Sequence, residues 1–410
     1  MALEEREKTF LYNTLINVLQ GQGKEFIAVA STGIASTLLL DGATYHSKFK
    51  IYPPITETSR SAVEEHHFEA RLIRDASLII IDEATMMSNH SLHAHDQLFR
   101  KVMKKPNVPY GGKVLLLGGD WRQCLPVVRH GNRVKVVEST IKRCATWSAF
   151  RPLRLVQNMR TAAGSEEFAD WLIHLGNGTL PTTPGLGPDS IQILEEFLLA
   201  QCDGSLINHV FGDPKHLLEP EGQQRVGNGA ILCPKNEDCL LINNQITERM
   251  PGNKHTYKSM DSVDSEDPEV IANYPTEFLN ICKVSGIPPH ILQLKVGAIV
   301  ILLKNINSAL GLCNGTRLII KGLRPNIIVA TIAAGKNKGA DVFLPRLAMS
   351  PTESDLPFTL KRVQFIVLPA FTVTINKSQE QTFDSVGIYL QKPVFSSRQL
   401  YVFFLRATSR

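Results

Sequence analysis

The sequence predicts an α/β fold built on parallel sheets, and three observations carry that expectation. Runs such as LIIID (78–82) and VLLLGGD (114–120) are continuously apolar, as strands buried on both faces are. A helical stretch, HSLHAHDQLFRKVMKK (90–105), lies between them, giving the order strand, crossover helix, parallel strand. The same alternation returns in the second half, at GAILCPKNEDCLLINNQITERM (229–250).

The bulk numbers set the frame. At 410 residues the chain has room for two or three domains, and 43% hydrophobic with 20% charged residues is ordinary globular composition. No apolar run is long enough to cross a bilayer, and the acidic, polar start does not read as a secretory signal. A cytosolic or nuclear protein is expected. The seven cysteines are scattered singly, which is not a disulfide framework, and Cys233 with Cys239 has no second pair at zinc spacing, so no structural metal is expected. Lys+Arg at 44 barely exceeds Asp+Glu at 39, so any groove for a polyanion must come from local clustering.

Taken in order, the chain opens MALEEREKTFLYNTL. Lys8 and Thr9 stand where the phosphate-loop pattern G-x-x-x-x-G-K-[ST] ends, but Ala2 and Glu7 occupy the two glycine positions. By itself this stretch reads more plainly as a charged helix start. EFIAVAS, IASTLLL and ASLIIIDEA follow as short apolar runs, and together with VLLLGGD they make a RecA-like pattern. A polar middle begins near Thr161 and includes GNGTLPTTPGLGPDS (176–190). From Val296 the texture becomes all-β: VGAIVILLKN, TRLIIKGL, IIVATIAA and ADVFLPRLAM are separated by turns, as in a small barrel inserted into the second domain. The chain returns with PAFTVTINKSQEQTFDSVGIYL and ends QLYVFFLRATSR. The expected boundaries are a first domain at 1–155 lacking its first strand, a connecting segment at 156–225, a second domain at 226–300 and 366–410, and the barrel at 301–365.

The chemistry gathers at strand ends. A buried strand delivers Asp82 and Glu83 at its C-terminal edge, where ligands of parallel sheets bind. One carboxylate can organise magnesium and the other the attacking water of phosphoryl hydrolysis; the plainer alternative is a solvated turn. After the next strand, Gly118 and Gly119 admit close backbone approach, Asp120 and Arg122 can pair, and Gln123 offers an amide able to sense a phosphate.

Eight segments in order, KTFLYNTLI, VASTGIASTLLLDGATYHSKFKI, LIIIDEATMM, GGDWRQCLPVV, LVQNMRT, GLCNGTRLII, TINKSQEQTFDSVGIYL and QLYVFFLRATSR, resemble the Pif/RecD-type DNA helicases. The likeness is closest to the Pif-one-like branch, including the copies carried by Helitron transposons. It implies two RecA-like P-loop NTPase domains, the second with an SH3-like β-barrel insert, and an ATP-dependent DNA helicase of five-prime-to-three-prime polarity. ATP and magnesium are the implied cofactors, single-stranded and forked duplex DNA the partners, and DNA repair, recombination, telomere or transposon metabolism the setting. A nuclear monomer is expected, with mitochondrial or cytoplasmic location as alternatives.

The resemblance also implies roles. Lys8 and Thr9 match the residues on the β/γ-phosphates and magnesium, Asp82 the magnesium-organising acid, Glu83 the catalytic base and Gln123 the γ-phosphate sensor. Arg160 and Arg406 match arginines that reach the nucleotide from the second domain; a surface salt bridge is the commoner role of either taken alone. Ser31, Thr32, Gly33, Thr44 and His46 match the first-domain DNA track, although a lone His46 is more often structural. Lys377, Ser378 and Gln381 match the second-domain segment near DNA and nucleotide. Departures cluster on the nucleotide side: Glu7, Glu380 in place of a glycine, and Phe403, Phe404 and Leu405 in place of Ala, Leu and Ser. They make poor MgATP binding an expectation and leave a single-stranded-DNA-binding remnant without catalysis as the alternative. An NTPase of this fold acting on proteins is a more distant one.

Overall fold

The structure, a computed structural model, describes all residues except 1–2, 124–125, 127, 129–130, 156–165, 184, 186–189, 200–205, 352–353, 355, 380, 382, 392–393, 395–396 and 407–410. Arg160 and Glu380 lie outside the described residues. Two compact units emerge: Met1–Phe197 with Gln379–Thr382 and Val394–Arg410, and Leu198–Ser378 with Phe383–Pro393. The C-terminal segment, expected in the second domain, thus belongs to the first unit.

In the first unit β1 (Phe26–Ala30), β2 (Ala43–Thr44), β3 (Leu78–Asp82) and β4 (Leu115–Leu117) form a parallel sheet of order β2-β1-β3-β4. Alternation along β1 and β3 explains how both faces are covered. Ala28, Ala30 and Ile80 share a core with Tyr12 and Ile16 of α1 (Leu3–Gly21). Ile27, Val29, Ile79 and Ile81 share another with residues of α3 (Tyr45–Phe49) and α5 (Asn89–Met103). Small alanines on one face let α1 lie close to the sheet. Helix starts follow capping chemistry: Thr32 caps α2 (Gly33–Leu38), Thr44 caps α3 and Ser88 caps α5, each accepting an N–H three residues on. The apolar run IASTLLL is therefore largely helix, not strand, because Thr32 caps it and Gly33 opens the turn.

α4 (Phe68–Asp75) precedes β3, α6 (Arg133–Ser139) follows the β4 loop, and α7 (Glu166–Asn177) packs on the helix Ser397–Leu405. Here Phe403, Phe404 and Leu405 are all buried. Phe404 meets Trp171 and Phe197 edge-on, at 4.9 and 5.3 Å between ring centres. The bulky departures from the family pattern are thus buried, Phe404 within an aromatic cluster.

In the second unit β5 (Gly229–Cys233) lies between β15 (Thr372–Thr374) and β16 (Ser385–Ile388) in a three-stranded parallel sheet. Between them in sequence come β6 (His255–Lys258) paired with β8 (Ile291–Leu294), and a seven-stranded antiparallel sheet. Its order is β14 (Val367–Pro369), β9 (Ile299–Leu302), β10 (Arg317–Leu323), β11 (Ile327–Ile332), β12 (Asp341–Met349), β13 (Leu360–Phe365), β7 (Met260–Val263). All four strands expected after Val296 are present, but the sheet also draws in β7 and β14 from outside the expected 301–365. Among the described residues the two end strands of this order, β14 and β7, do not pair with each other.

Two buried arginines tie this unit together. Arg317 donates to the carbonyls of Val226, Gly227 and Gly229, where the helix Pro220–Asn228 meets β5, so the insert is clasped to the parallel sheet at a helix C-terminus. Arg362 forks onto Asp261, its cross-strand partner, at 2.6 and 2.9 Å, which penalises any slip of β13 against β7.

The first unit also carries a pH-sensitive core residue. His95, fully buried beside Tyr45, Phe49 and Phe99, donates Nδ1–H to the Ser91 carbonyl. Burial lowers its pKa to about 4. The unfolded chain takes up a proton near pH 6.5 that the folded chain refuses until about pH 4, so stability is complete above the former value and falls between the two. A full shift of this size corresponds to roughly 3 kcal/mol. Urea titrations should give a lower midpoint at pH 5 than at pH 7, and His95→Gln, which cannot charge, should shrink that difference.

Candidate active site

α1 buries Lys8, Tyr12 and Ile16, spaced by four and therefore on one helical face, against the C-terminal half of β3. Lys8 Nζ lies 3.2 Å from Asp82 Oδ1 and is also hydrogen-bonded to Glu83 Oε1. Burial alone would lower the Lys8 pKa, but the Glu83 and Asp82 carboxylates together outweigh it and hold the ammonium well above the ordinary lysine value. Lys8 therefore stays charged. Asp82 and Glu83 are 5% and 2% exposed, so they are no solvated turn.

Glu83 sits in the left-handed backbone region at φ 51°, a strained conformation for a residue with a Cβ. Ser31 stabilises it: its N–H donates to the Asp82 carbonyl at 3.1 Å and its hydroxyl to the Glu83 carbonyl at 2.8 Å. Ser31, expected on the DNA track, thus also shapes the acidic strand end. Tyr12 donates its hydroxyl to Asp82 Oδ1 at 3.2 Å. Burial first and Asp82 second push the Tyr12 phenol far above its usual pKa, so it remains a donor.

The glycines after β4 have a steric role that sequence spacing only hinted at. A Cβ on Gly118 would stand 1.5 Å from the Tyr12 hydroxyl, and one on Gly119 would stand 2.9 Å from Thr85. Asp120 then organises the following turn: it accepts Arg122 N–H at 2.9 Å and Tyr401 Oη at 3.0 Å, while its carbonyl accepts the Gln123 N–H at 3.1 Å. Gln123 is 3% exposed. Arg406 is 1% exposed, donating Nη1 to the Gln381 carbonyl at 3.3 Å, so it is not a surface ion-pair residue. Lys8, Tyr12, Asp82, Glu83 and Gly118 are brought together by direct contact. Arg406 and Gln381 meet each other in the same unit.

The phosphate-loop expectation meets a specific obstacle. α1 is helical from Leu3 onward, so the N–H groups of Lys8 and Thr9 lie inside a helix and serve carbonyls four residues back. They are not presented as an anion cradle. Thr9 is half-buried on α1. Magnesium is a better fit to the residues present: Asp82 Oδ2 takes no hydrogen bond among the described residues, and carboxylate and hydroxyl oxygens are its preferred donors.

Of the residues expected on a DNA track, Thr32 and Thr44 accept backbone N–H groups as helix caps, and Gly33 opens α2. An accepting hydroxyl keeps its own proton to donate. His46 stacks on Tyr45 at 3.8 Å, and burial lowers its pKa to about 4, so it is neutral at pH 7. In the second unit Ser378 is fully buried and donates to the Ile375 carbonyl, while Lys377 is half-buried, with burial lowering its pKa.

The family model described as PIF1-like helicase matches residues 5–185, covering every strand of the first sheet, and one described as the 2B domain of DNA helicase Pif1 matches 277–323. The chain belongs to the PIF1-like helicase family. It is 26% identical over 420 residues to the ATP-dependent DNA helicase PIF1 of Homo sapiens, spanning 98% of this chain and 55% of that protein. For the Xenopus laevis protein of the same description the identity is 25% over 413 residues, with the same shares. The chain thus spans about half the length of these PIF1 relatives. Among solved structures, Bacteroides Pif1 bound to ssDNA matches at TM-score 0.69 and 24% identity, covering 98% of this chain and 84% of that one. Pif1 helicase of Candida albicans matches at 0.63 and 22%, covering 98% and 87%. At these identities the structures speak to the fold, two RecA-like domains.

Sequence reasoning missed Tyr12 and Tyr401. Tyr12 was accessible in principle, being four residues after Lys8 on the same helical face. Tyr401 had no local signal, since its partner is 281 positions away.

Proposed function

We propose that this chain is the motor core of an ATP-dependent DNA helicase that moves along single-stranded DNA, and that it works at forked duplexes in DNA repair, recombination, telomere maintenance or Helitron-type transposition in the nucleus. The observation that carries the reading is the buried constellation of Lys8 on Asp82 and Glu83 at the end of a parallel strand. Asp82 with Thr9 would hold magnesium, which supplies charge neutralisation for phosphoryl transfer. Glu83 would orient the attacking water, Gln123 would sense the γ-phosphate, and Arg160 and Arg406 would stabilise developing charge, with Gln381 beside the nucleotide. Ser31, Thr32, Gly33, Thr44, His46, Lys377 and Ser378 would line the DNA track, with His46 acting as a neutral donor.

The unbroken helix from Leu3 favours a second reading, in which the chain binds single strands without turnover. ATP hydrolysis measured with and without an oligothymidine strand separates the two: DNA-stimulated turnover supports the motor, and silence with retained binding supports the second. Binding should weaken steeply with salt, and Lys377→Ala should flatten the logarithmic salt slope by about one released counterion. An unchanged slope would remove Lys377 from the track.

A further inference from the structure

We propose that Tyr12 is a positioning residue for a divalent cation at Asp82: by holding one carboxylate oxygen it presents the other to the metal. The inference rests on the magnesium part of the function proposed above.

The two oxygens of Asp82 are in different situations. Oδ1 accepts Lys8 Nζ and Tyr12 Oη, each at 3.2 Å. Oδ2 takes no hydrogen bond among the described residues. Two donors on a single oxygen fix the rotation of a carboxylate about its Cβ–Cγ bond, and the partner oxygen is then the one left for a hard cation or its water shell. Lys8 alone would do this loosely, because its ammonium is shared with Glu83 on a long flexible stem.

Tyr12 is the stiffer constraint. Its ring is 3% exposed and packed with Ile16, Ala28, Ala30 and Ile80, so the hydroxyl has little freedom. Space for that hydroxyl is left by Gly118, whose hypothetical Cβ would stand 1.5 Å from it and 3.2 Å from Asp82 Oδ1. Packing alone does not call for a phenol here: the other buried side chains of this cluster, Ile16, Ala28, Ala30, Ala35, Leu39 and Ile80, are aliphatic, and phenylalanine would fill the same volume without the O–H. The hydroxyl finds its one hydrogen-bond acceptor among the described residues in Asp82.

The test uses the full chain, with Mn²⁺ as the probe read by electron paramagnetic resonance, alongside thermal unfolding. Tyr12→Phe keeps the ring and should leave the melting temperature within about 3 °C of the parent, yet weaken Mn²⁺ binding about tenfold. Asp82→Asn should abolish the site and serves as the reference for non-specific binding. Equal Mn²⁺ affinity of parent and Tyr12→Phe overturns the proposal while leaving a metal site at Asp82. No Asp82-dependent Mn²⁺ binding in the parent overturns both the proposal and the magnesium reading on which it rests. A Tyr12→Phe chain that loses Mn²⁺ only in proportion to lost folding assigns Tyr12 to packing and also overturns it.

Discussion

Lys8→Ala should destabilise the first unit by about 3 kcal/mol or more, in addition to any effect on nucleotide chemistry. The substitution removes the ammonium held between Asp82 and Glu83 and leaves two buried carboxylates facing each other without it. Breaking a buried pair from one side is far more costly than the pair's own net contribution, because the remaining charge is stranded in low dielectric. In urea denaturation the variant should show a lower midpoint, and Lys8→Ala combined with Asp82→Asn and Glu83→Gln should recover a large part of the loss. A single variant as stable as the parent would mean that the acids are solvated in solution, contrary to the geometry described here. Replacing Lys8 therefore carries a stability cost of its own, and any loss of function in the variant has to be read against its unfolding curve.

Gly118→Ala is the second large effect. The new methyl group would meet the Tyr12 hydroxyl at 1.5 Å and its Cζ at 2.8 Å, distances that require α1 or the β4 exit to move. Overpacking of this kind costs roughly 1–3 kcal/mol, more where backbone must shift. Because Gly118 also donates its N–H to the Ile81 carbonyl and accepts Ala84 N–H, the β4 exit cannot yield freely. Tyr12→Phe removes the closest atom and should partly rescue Gly118→Ala. A double-mutant cycle measured by thermal or urea unfolding should give a coupling of about 1 kcal/mol, whereas strict additivity would show that the two residues do not meet.

Much of the architecture is legible in the sequence. LIIID and VLLLGGD read as strands because a parallel strand buried on both faces needs unbroken apolar sequence, and they became β3 and β4. The four β segments after Val296 read correctly for a related reason: turn residues punctuate apolar runs too short to be helices. IASTLLL misled, since the same short apolar composition suits either state and the deciding feature is the hydrogen bond from Ala35 N–H to the Thr32 hydroxyl. The sheet extends beyond the expected 301–365 because β7 and β14 join by pairing across it, which local sequence does not announce.

What the sequence by itself determined is the chemistry available and its order: a lysine and threonine at a helix, two acids ending a buried strand, paired glycines before an aspartate, and the motif series of PIF1-like helicases. Tertiary structure decided how those groups are used. Ser31 became a support for the strained Glu83, Thr32 and Thr44 became helix caps, and Tyr12 joined Lys8 on Asp82. Phe403 to Leu405, which looked like erosion of a motif, are all buried, and Phe404 packs edge-on against Trp171 and Phe197. The reason is physical. Residue type sets what a group can donate, accept or bury, but only the approach of distant segments fixes which partner it meets and how far water is excluded from the pair.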